Sequence, residues 1–328
     1  MKHDQTFLVG GSMEGVVLPS YDGMLSPEKG ALKYDGTNLR IGNGSTWDKL
    51  PVIIGDLFDF SSFTFSTANT RGYAGPTEAS LREVYAGATF LEEYFSVTAG
   101  IQHFTVPTDG TYRITANGSS YISGSPGFVV ATVALKRGDV LNILCGQLPP
   151  TTPNNNSRCG CGGTFVESKE KGCLVVAGSP GGWNQTTWQY ARAQVTNVST
   201  GGAAASQGAS FAGGGGGYAQ DGFSIDGQLV AKSFKNGGEG ARASFNGAVL
   251  EGGFGGGGAY NSQTAWWLAG AGGYAGGAGA RAASGTSQLT STGGTCYATP
   301  EAVDVSIKVE RVTSITHGSV KIELISKD

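Results

Sequence analysis

Apolar residues along this chain recur most often with a period of two. Gln102-His-Phe-Thr-Val106, Gly110-Thr-Tyr-Arg-Ile-Thr-Ala116 and Phe128-Val-Val-Ala-Thr-Val-Ala-Leu135 each read as a strand, as do Asp139-Val-Leu-Asn-Ile-Leu-Cys145 and Cys173-Leu-Val-Val-Ala177. Alternation of this kind puts one set of side chains on each face of a sheet. Phe63-Thr-Phe-Ser66 is a shorter run of the same type. Pro107-Thr-Asp-Gly110 and Arg137-Gly-Asp139 supply turn chemistry between runs. One break in the pattern predicts a helix over 77–85, with Thr77 as its cap and Leu81 and Tyr85 on one face. Clean alternation returns at Val303-Asp-Val-Ser-Ile-Lys-Val-Glu310 and Ser319-Val-Lys-Ile-Glu-Leu-Ile325. Those closing strands are expected to rejoin the sheets begun before residue 176. Many short strands at steady spacing indicate an all-β jelly roll over 56–176 and 296–328.

Residues 1–55 form a separate small unit. Asp35-Gly36 is a hairpin signal between alternating runs, Gly42-Asn43-Gly44 is a second turn, and Trp47 is a packing anchor. A hairpin of this size buries too little surface to stand alone, so it is expected to anchor on a larger assembly or on copies of itself.

Composition changes the picture most between 177 and 295. The 328 residues include 56 glycines, far above the usual share of about 7%. Three runs dominate: Gly213-Gly214-Gly215-Gly216-Gly217-Tyr218, Gly252-Gly-Phe-Gly255-Gly256-Gly257-Gly258-Ala-Tyr260 and Gly270-Ala-Gly-Gly-Tyr-Ala-Gly-Gly-Ala-Gly279. Such runs are either flexible linker or an insertion of packed polyproline-II (polyglycine) helices, whose axes approach only where no Cβ intervenes. Tyr218, Phe254, Tyr260 and Tyr274 punctuate the runs, which favours the packed form.

Charge and reactive residues mostly exclude. Lysine and arginine number 22 against 25 acidic residues, so no basic face points to nucleic acid. No apolar run is long enough for membrane insertion, and the opening residues, broken by Gly10 and Gly11, give no expectation of a secretion signal. The histidines, His3, His103 and His317, lie in different segments, and no glycine run ends in a phosphate-binding lysine. No enzyme, catalytic residue, cofactor or metal is therefore expected. Of the five cysteines, Cys159 and Cys161 form a C-x-C pair without a matching second pair. Small buried residues are the expected reading; one disulfide and a zinc pair are the others.

Two resemblances bear on function. The segment around Leu32-Lys-Tyr-Asp-Gly-Thr37 and Gly44-Ser-Thr-Trp47 resembles short repeats of phage tail and head fibres. From Phe63 onward, the order of motifs resembles the glycine-rich, tumour-necrosis-factor-like ligand-binding region of the anaplastic and leukocyte lymphoma receptor tyrosine kinases. The motifs are Phe63-Thr-Phe-Ser66, Gly75-Pro-Thr77 with Tyr85, Val106-Pro-Thr-Asp-Gly-Thr-Tyr112 and Leu135-Lys-Arg-Gly-Asp-Val-Leu-Asn-Ile-Leu-Cys-Gly-Gln147. Gly162-Gly-Thr-Phe-Val166, Leu174-Val-Val-Ala-Gly178, Gly252 to Gly258, Gly273-Tyr-Ala-Gly-Gly277 and His317-Gly-Ser-Val-Lys-Ile322 complete them. This resemblance implies the jelly roll, the glycine insertion and a homotrimer. Polyglycine bundles also form tip adhesins of some tailed-phage fibres.

The expected protein is a virion fibre or adhesin subunit. Its N-terminal segment would join other virion proteins, and its aromatic loops would bind a host cell-surface glycan or protein. The candidate contact residues are Trp183, Trp188, Tyr190, Tyr260, Trp266 and Trp267, since rings on loops carried by a rigid scaffold suit recognition. Alternatives are a structural virion protein (head fibre, collar or decoration protein) and a secreted or receptor ectodomain binding a protein ligand.

Overall fold

The computed structural model describes residues 32–34, 39–42, 44–49, 55–150, 158–184, 189–190, 193–195, 200–202, 205–207, 210–224, 230–245, 247–261, 267–281 and 291–328. The Asp35-Gly36 turn, Trp188 and Trp266 lie outside them. The chain divides into two compact units, Met1–Gly55 and Asp56–Asp328. In the first, β1 (Leu32–Tyr34), β2 (Leu39–Gly42) and β3 (Trp47–Lys49) form one antiparallel sheet.

The second unit opens with β4 (Ser62–Phe65) and the helix α1 (Glu78–Val84). Next come β5 (Phe95–Thr98), β6 (Ile101–Thr105), β7 (Gly110–Asn117), β8 (Gly127–Leu135) and β9 (Val140–Leu144), then β10 (Thr164–Ser168) and β11 (Gly172–Ala177). Shorter strands follow: β12 (Trp183–Asn184), β13 (Gln189–Tyr190), β14 (Gln194–Val195), β15 (Ala205–Gln207) and β16 (Ser210–Ala212). The glycine-rich stretch ends with β17 (Arg242–Phe245), β18 (Ala248–Glu251), β19 (Trp267–Leu268) and β20 (Ala280–Arg281). The chain closes with β21 (Thr295–Ala298), β22 (Val303–Val309) and β23 (Ser319–Lys327). Among the described residues the fold is all-β apart from α1 and short 3-10 turns, one of them at Phe234–Asn236.

Two sheets share one core. The seven-stranded sheet runs β14-β21-β11-β10-β9-β6-β5 and the five-stranded sheet β22-β8-β7-β23-β4. The closing strands do return to the earlier sheet: β22 pairs with β8, and β23 lies between β7 and β4. Alternation decides which side chains meet. Tyr112, Ile114, Val129, Ala131, Val320 and Ile322 face Phe104, Leu141, Ile143, Val166 and Val175 in one buried cluster. At the end of this core near α1, Phe58, Phe63, Phe65, Tyr85, Phe90 and Phe104 contact one another, mostly edge to face, the arrangement ring quadrupoles favour. Tyr85 keeps its buried hydroxyl satisfied by donating to Gln102 Oε1 at 2.8 Å.

A second apolar layer covers the outer face of the seven-stranded sheet. Strand β10 is buried on both faces. Val166 points into the core between the sheets, while Phe165 joins Leu144, Val176, Phe234 and Phe254 on the other side. Phe165, Phe234, Tyr218, Tyr274 and Tyr297 stack in succession, with centroids 5.3, 5.7, 5.7 and 3.9 Å apart. The aromatics that punctuate the glycine runs thus supply side chains to segments that have few of their own.

The glycine segments hydrogen-bond sideways, with a spacing of three. Gly213 donates to Ala259 and Gly216 to Gly256, both in one neighbouring segment. Ala269 and Gly272 donate to Arg158 and Cys161; Gly270 and Gly273 donate to Gly213 and Gly216. Gly214 and Gly215 donate to Phe223 and Gly277. Buried amides are thereby satisfied without helix or ladder. A Cβ built on Gly162, Gly215, Gly270 or Gly272 would lie closer than 3.0 Å to a carbonyl oxygen of the next segment, which explains glycine at those positions.

Candidate functional site

Among the described residues, three two-stranded ribbons leave the glycine layer, β12–β13, β15–β16 and β17–β18, and a fourth pair, β19–β20, joins the two ends of the glycine run 269–279. Their bases are tied together. Gly182, just before β12, donates to Ala269, just after β19, at 2.9 Å. Phe211 of β16 accepts from Asn261 N at 3.1 Å, and the Asn261 carboxamide oxygen accepts from Phe211 N at 2.7 Å. Beneath the ribbons lies one buried cluster: Cys159, Ala212, Ala243, Leu250, Tyr260 and Trp267. A glycine layer cannot seal its own end against water, so side chains from the ribbon bases do it.

That seal corrects two candidate contact residues. Tyr260 and Trp267 are 2% and 3% exposed and are not presented as contacts; their rings fill the end of the layer. Trp183 and Tyr190 are Cα partners across β12–β13, so their ribbon brings them together at this end. Gly213 to Gly217 and Gly255 to Gly258 are all buried in the layer, with Gly255 and Gly256 in the left-handed region at φ 103° and 80°.

The residues left outward here are not among the predicted contacts. Phe223 is 61% exposed and Val249, on β18, is 46% exposed. Phe223 lies in one shallow crevice with Ala231, Ala243 and Ala259, so it stands at the rim of the ribbon bases. The alternation in Ala248-Val-Leu-Glu251 was a usable signal for Val249, because Leu250 faces in. Nothing local distinguishes Phe223 from the buried Phe254, since both follow glycine. Charge at the rim is paired: Arg242 binds Glu251 across β17–β18 at 3.2 Å, and its guanidinium lies 4.4 Å from the Tyr73 ring centroid.

Most of the cysteines and the histidine of β6 are buried or engaged within the fold. All five cysteines are free thiols, so the single-disulfide reading is not realised. Burial raises the thiols of Cys145 and Cys161 to about 12 and that of Cys296 to about 11. Among the described residues no three His, Cys, Asp or Glu side chains converge as metal ligands, and no helix is long and apolar enough to cross a membrane. His103 bonds Asn142 at 2.7 Å, as a structural histidine would.

The most elaborate polar group fastens the glycine layer to the sheet. Glu167 on β10 accepts from Asn142 Nδ2 at 2.9 Å, from the Tyr218 hydroxyl at 2.5 Å and from Lys235 Nζ. Burial works to raise its carboxyl, but the bonds from Lys235, Tyr218 and Asn142 outweigh it and hold the group below its ordinary 4.5. Tyr218 is shifted upward by burial and by the carboxylate it donates to. The cluster is fully engaged within the fold, which suits a clamp better than a reactive site. No protein-family model matches the chain, and neither does any curated protein.

Proposed function

We propose that this chain is a non-enzymatic bacteriophage fibre or adhesin subunit that recognises a host surface glycan or protein through the ribbon end of its glycine layer. The observation that carries the reading is convergence: ribbons β15–β16 and β17–β18 and the pair β19–β20 contribute to one buried cluster, and the base of β12 is hydrogen-bonded to the residue after β19. A stiff base that spends few side chains on itself leaves the ribbons free to vary, the usual division between scaffold and recognition loop. Exposed Phe223 and Val249, with Trp183 and Tyr190 of β12–β13, make up the contact surface, and Trp188 and Trp266, next in sequence to β13 and β19, are further candidates. The three-residue hydrogen-bond spacing is that of polyproline-II helices packed in parallel and antiparallel neighbours. The two sheets around one core fit a jelly roll. On this reading the subunit is a homotrimer, exposed on the virion, and residues 1–55 dock to other virion proteins.

The test is binding of labelled full-length protein to a panel of bacterial strains, comparing wild type with Phe223→Ser and Trp266→Ala. The expected result is saturable binding to a strain, weakened about tenfold or more by at least one variant of unchanged melting temperature, as for a buried aromatic anchor. Absence of binding to every strain that supports the phage would replace this reading with the structural one. An exposed apolar pair such as Phe223 and Val249 also suits a contact to another virion protein.

A further inference from the structure

A groove of about 490 Å³ opens at one end of the outer face of the five-stranded sheet. None of its lining residues belongs to a ribbon or to the clamp. Its floor is one row across the strands. The register places Lys308 of β22 beside Phe128 of β8, then Asn117 of β7, then Ser319 of β23. The row therefore offers an ammonium, a ring, an amide and a hydroxyl in order. Phe128 is 37% exposed, unusual for a phenylalanine on a sheet whose other face holds the core. Asn117 spends one amide hydrogen on Ser319 Oγ at 3.1 Å, which leaves its second hydrogen to donate. Glu310 lines the same groove.

The wall is held in place before any ligand arrives. Val312 and Thr316 line it, and both are fixed to the segment preceding β8. Val312 N donates to Gly124 O at 2.9 Å, Ser123 N to Val312 O at 2.9 Å, and Ser120 and Thr316 exchange backbone bonds at 2.8 Å. A preformed wall lowers the ordering cost of binding.

We propose that this groove is a second binding site, for a neutral pyranose sugar. A pyranose has one apolar C–H face and a rim of hydroxyls that both donate and accept. Phe128 matches the face; Asn117, Ser319 and Glu310 match the rim. Lys308 and Glu310 cancel in charge, so no net field selects an ionic ligand. The volume falls in the ordinary range of small-molecule sites, about 300–1,000 Å³. An apolar peptide fits less well, because the polar groups of the floor would lose water without partners.

Saturation-transfer NMR on the full-length protein tests this, with the methyl pyranosides of glucose, galactose, mannose and N-acetylglucosamine as probes. Each is used at about 10 mM, tenfold above a millimolar dissociation constant. The expected result is transfer to the ring protons of at least one sugar, reduced at least about fivefold in Phe128→Ala, the scale of one aromatic contact. Glu310→Ala is the second variant; its exposed side chain can be removed even if Phe128→Ala fails to fold, and it is expected to weaken the same signal. No transfer from any of the four sugars overturns the proposal, as does undiminished transfer in both folded variants. Either result leaves the ribbon-end test untouched, since Phe223→Ser does not touch this groove.

Discussion

Within a single run of glycines, neighbouring positions carry different constraints. A Cβ at Gly213 would meet its nearest atom, Ala259 O, at 3.2 Å, a distance a small shift relieves. At Gly215 and Gly216 it would press into the carbonyls of Ala271 and Lys232. Gly213→Ala is therefore expected to cost about 1 kcal/mol or less, while Gly215→Ala is expected to cost about 3 kcal/mol or more, the upper end of overpacking. Gly87 provides a contrast: its φ is +90° with open space around it, so alanine there carries only the left-handed penalty of about 1–2 kcal/mol. Thermal unfolding of the three variants checks the order. The sequence displayed the runs but not this difference, because it depends on which neighbour each glycine faces. The same blindness hid the aromatics. Tyr260 and Trp267 read as surface contacts, yet they close the end of the layer, while Phe223 was passed over and stands outside. Residue type alone does not say whether a ring beside glycine is plug or handle.

Strands and helix were legible in proportion to their length. The alternating runs at 110–116 and 319–325 fall in β7 and β23, and the near-continuous apolar run at 128–135 falls in β8, most of which is buried. The helix was readable from its cap. Thr77 accepts from Ser80 N at 3.2 Å, and Thr77→Ala is expected to lower stability by about 1 kcal/mol in denaturant titration. The ribbons were not legible, because two to four residues of β12 to β20 are too few to show a period. Nor was the Glu167 clamp, whose partners are 25, 51 and 68 residues away. Its pH dependence follows from sign. The folded carboxyl lies below its ordinary 4.5, so the native state holds fewer protons than the unfolded one near that value. The stabilisation is complete above about 4.5 and is lost as pH falls through the folded value. Stability of the wild type is expected to fall more steeply from pH 5 to 3 than that of Glu167→Gln, measured by urea titration at each pH.

For the second unit as a whole, three layers stand in order: the five-stranded sheet, the seven-stranded sheet and the glycine layer. The first two rest on side-chain burial and the third mainly on backbone bonds, so the usual link between protection and regular secondary structure is broken. Amides of Gly215, Gly258, Gly270 and Gly272 are expected to exchange with deuterium as slowly as those of β7 and β8, although none belongs to a strand. Exchange within seconds at those glycines would mean that the segments are linkers. All-β architecture was visible from composition and alternation. The tie between sheet and glycine layer was not, since it runs through Phe165 and Glu167 of β10, whose partners Phe234, Phe254, Tyr218 and Lys235 lie far along the chain.

The ribbon β17–β18 is closed at its foot: Gly252 N donates to Ala241 O at 2.9 Å, and Ala241 N donates to Gly257 O at 2.8 Å. Chain added beyond Phe245 and Ala248 therefore begins and ends at a junction already locked. The cost of a longer excursion is only the slow logarithm of its length, about 0.6 kcal/mol per doubling. Insertions, deletions and whole exchanged tips can accumulate there without disturbing the foot. Such a tip behaves as a replaceable cassette, able to change its surface while its mounting stays in place.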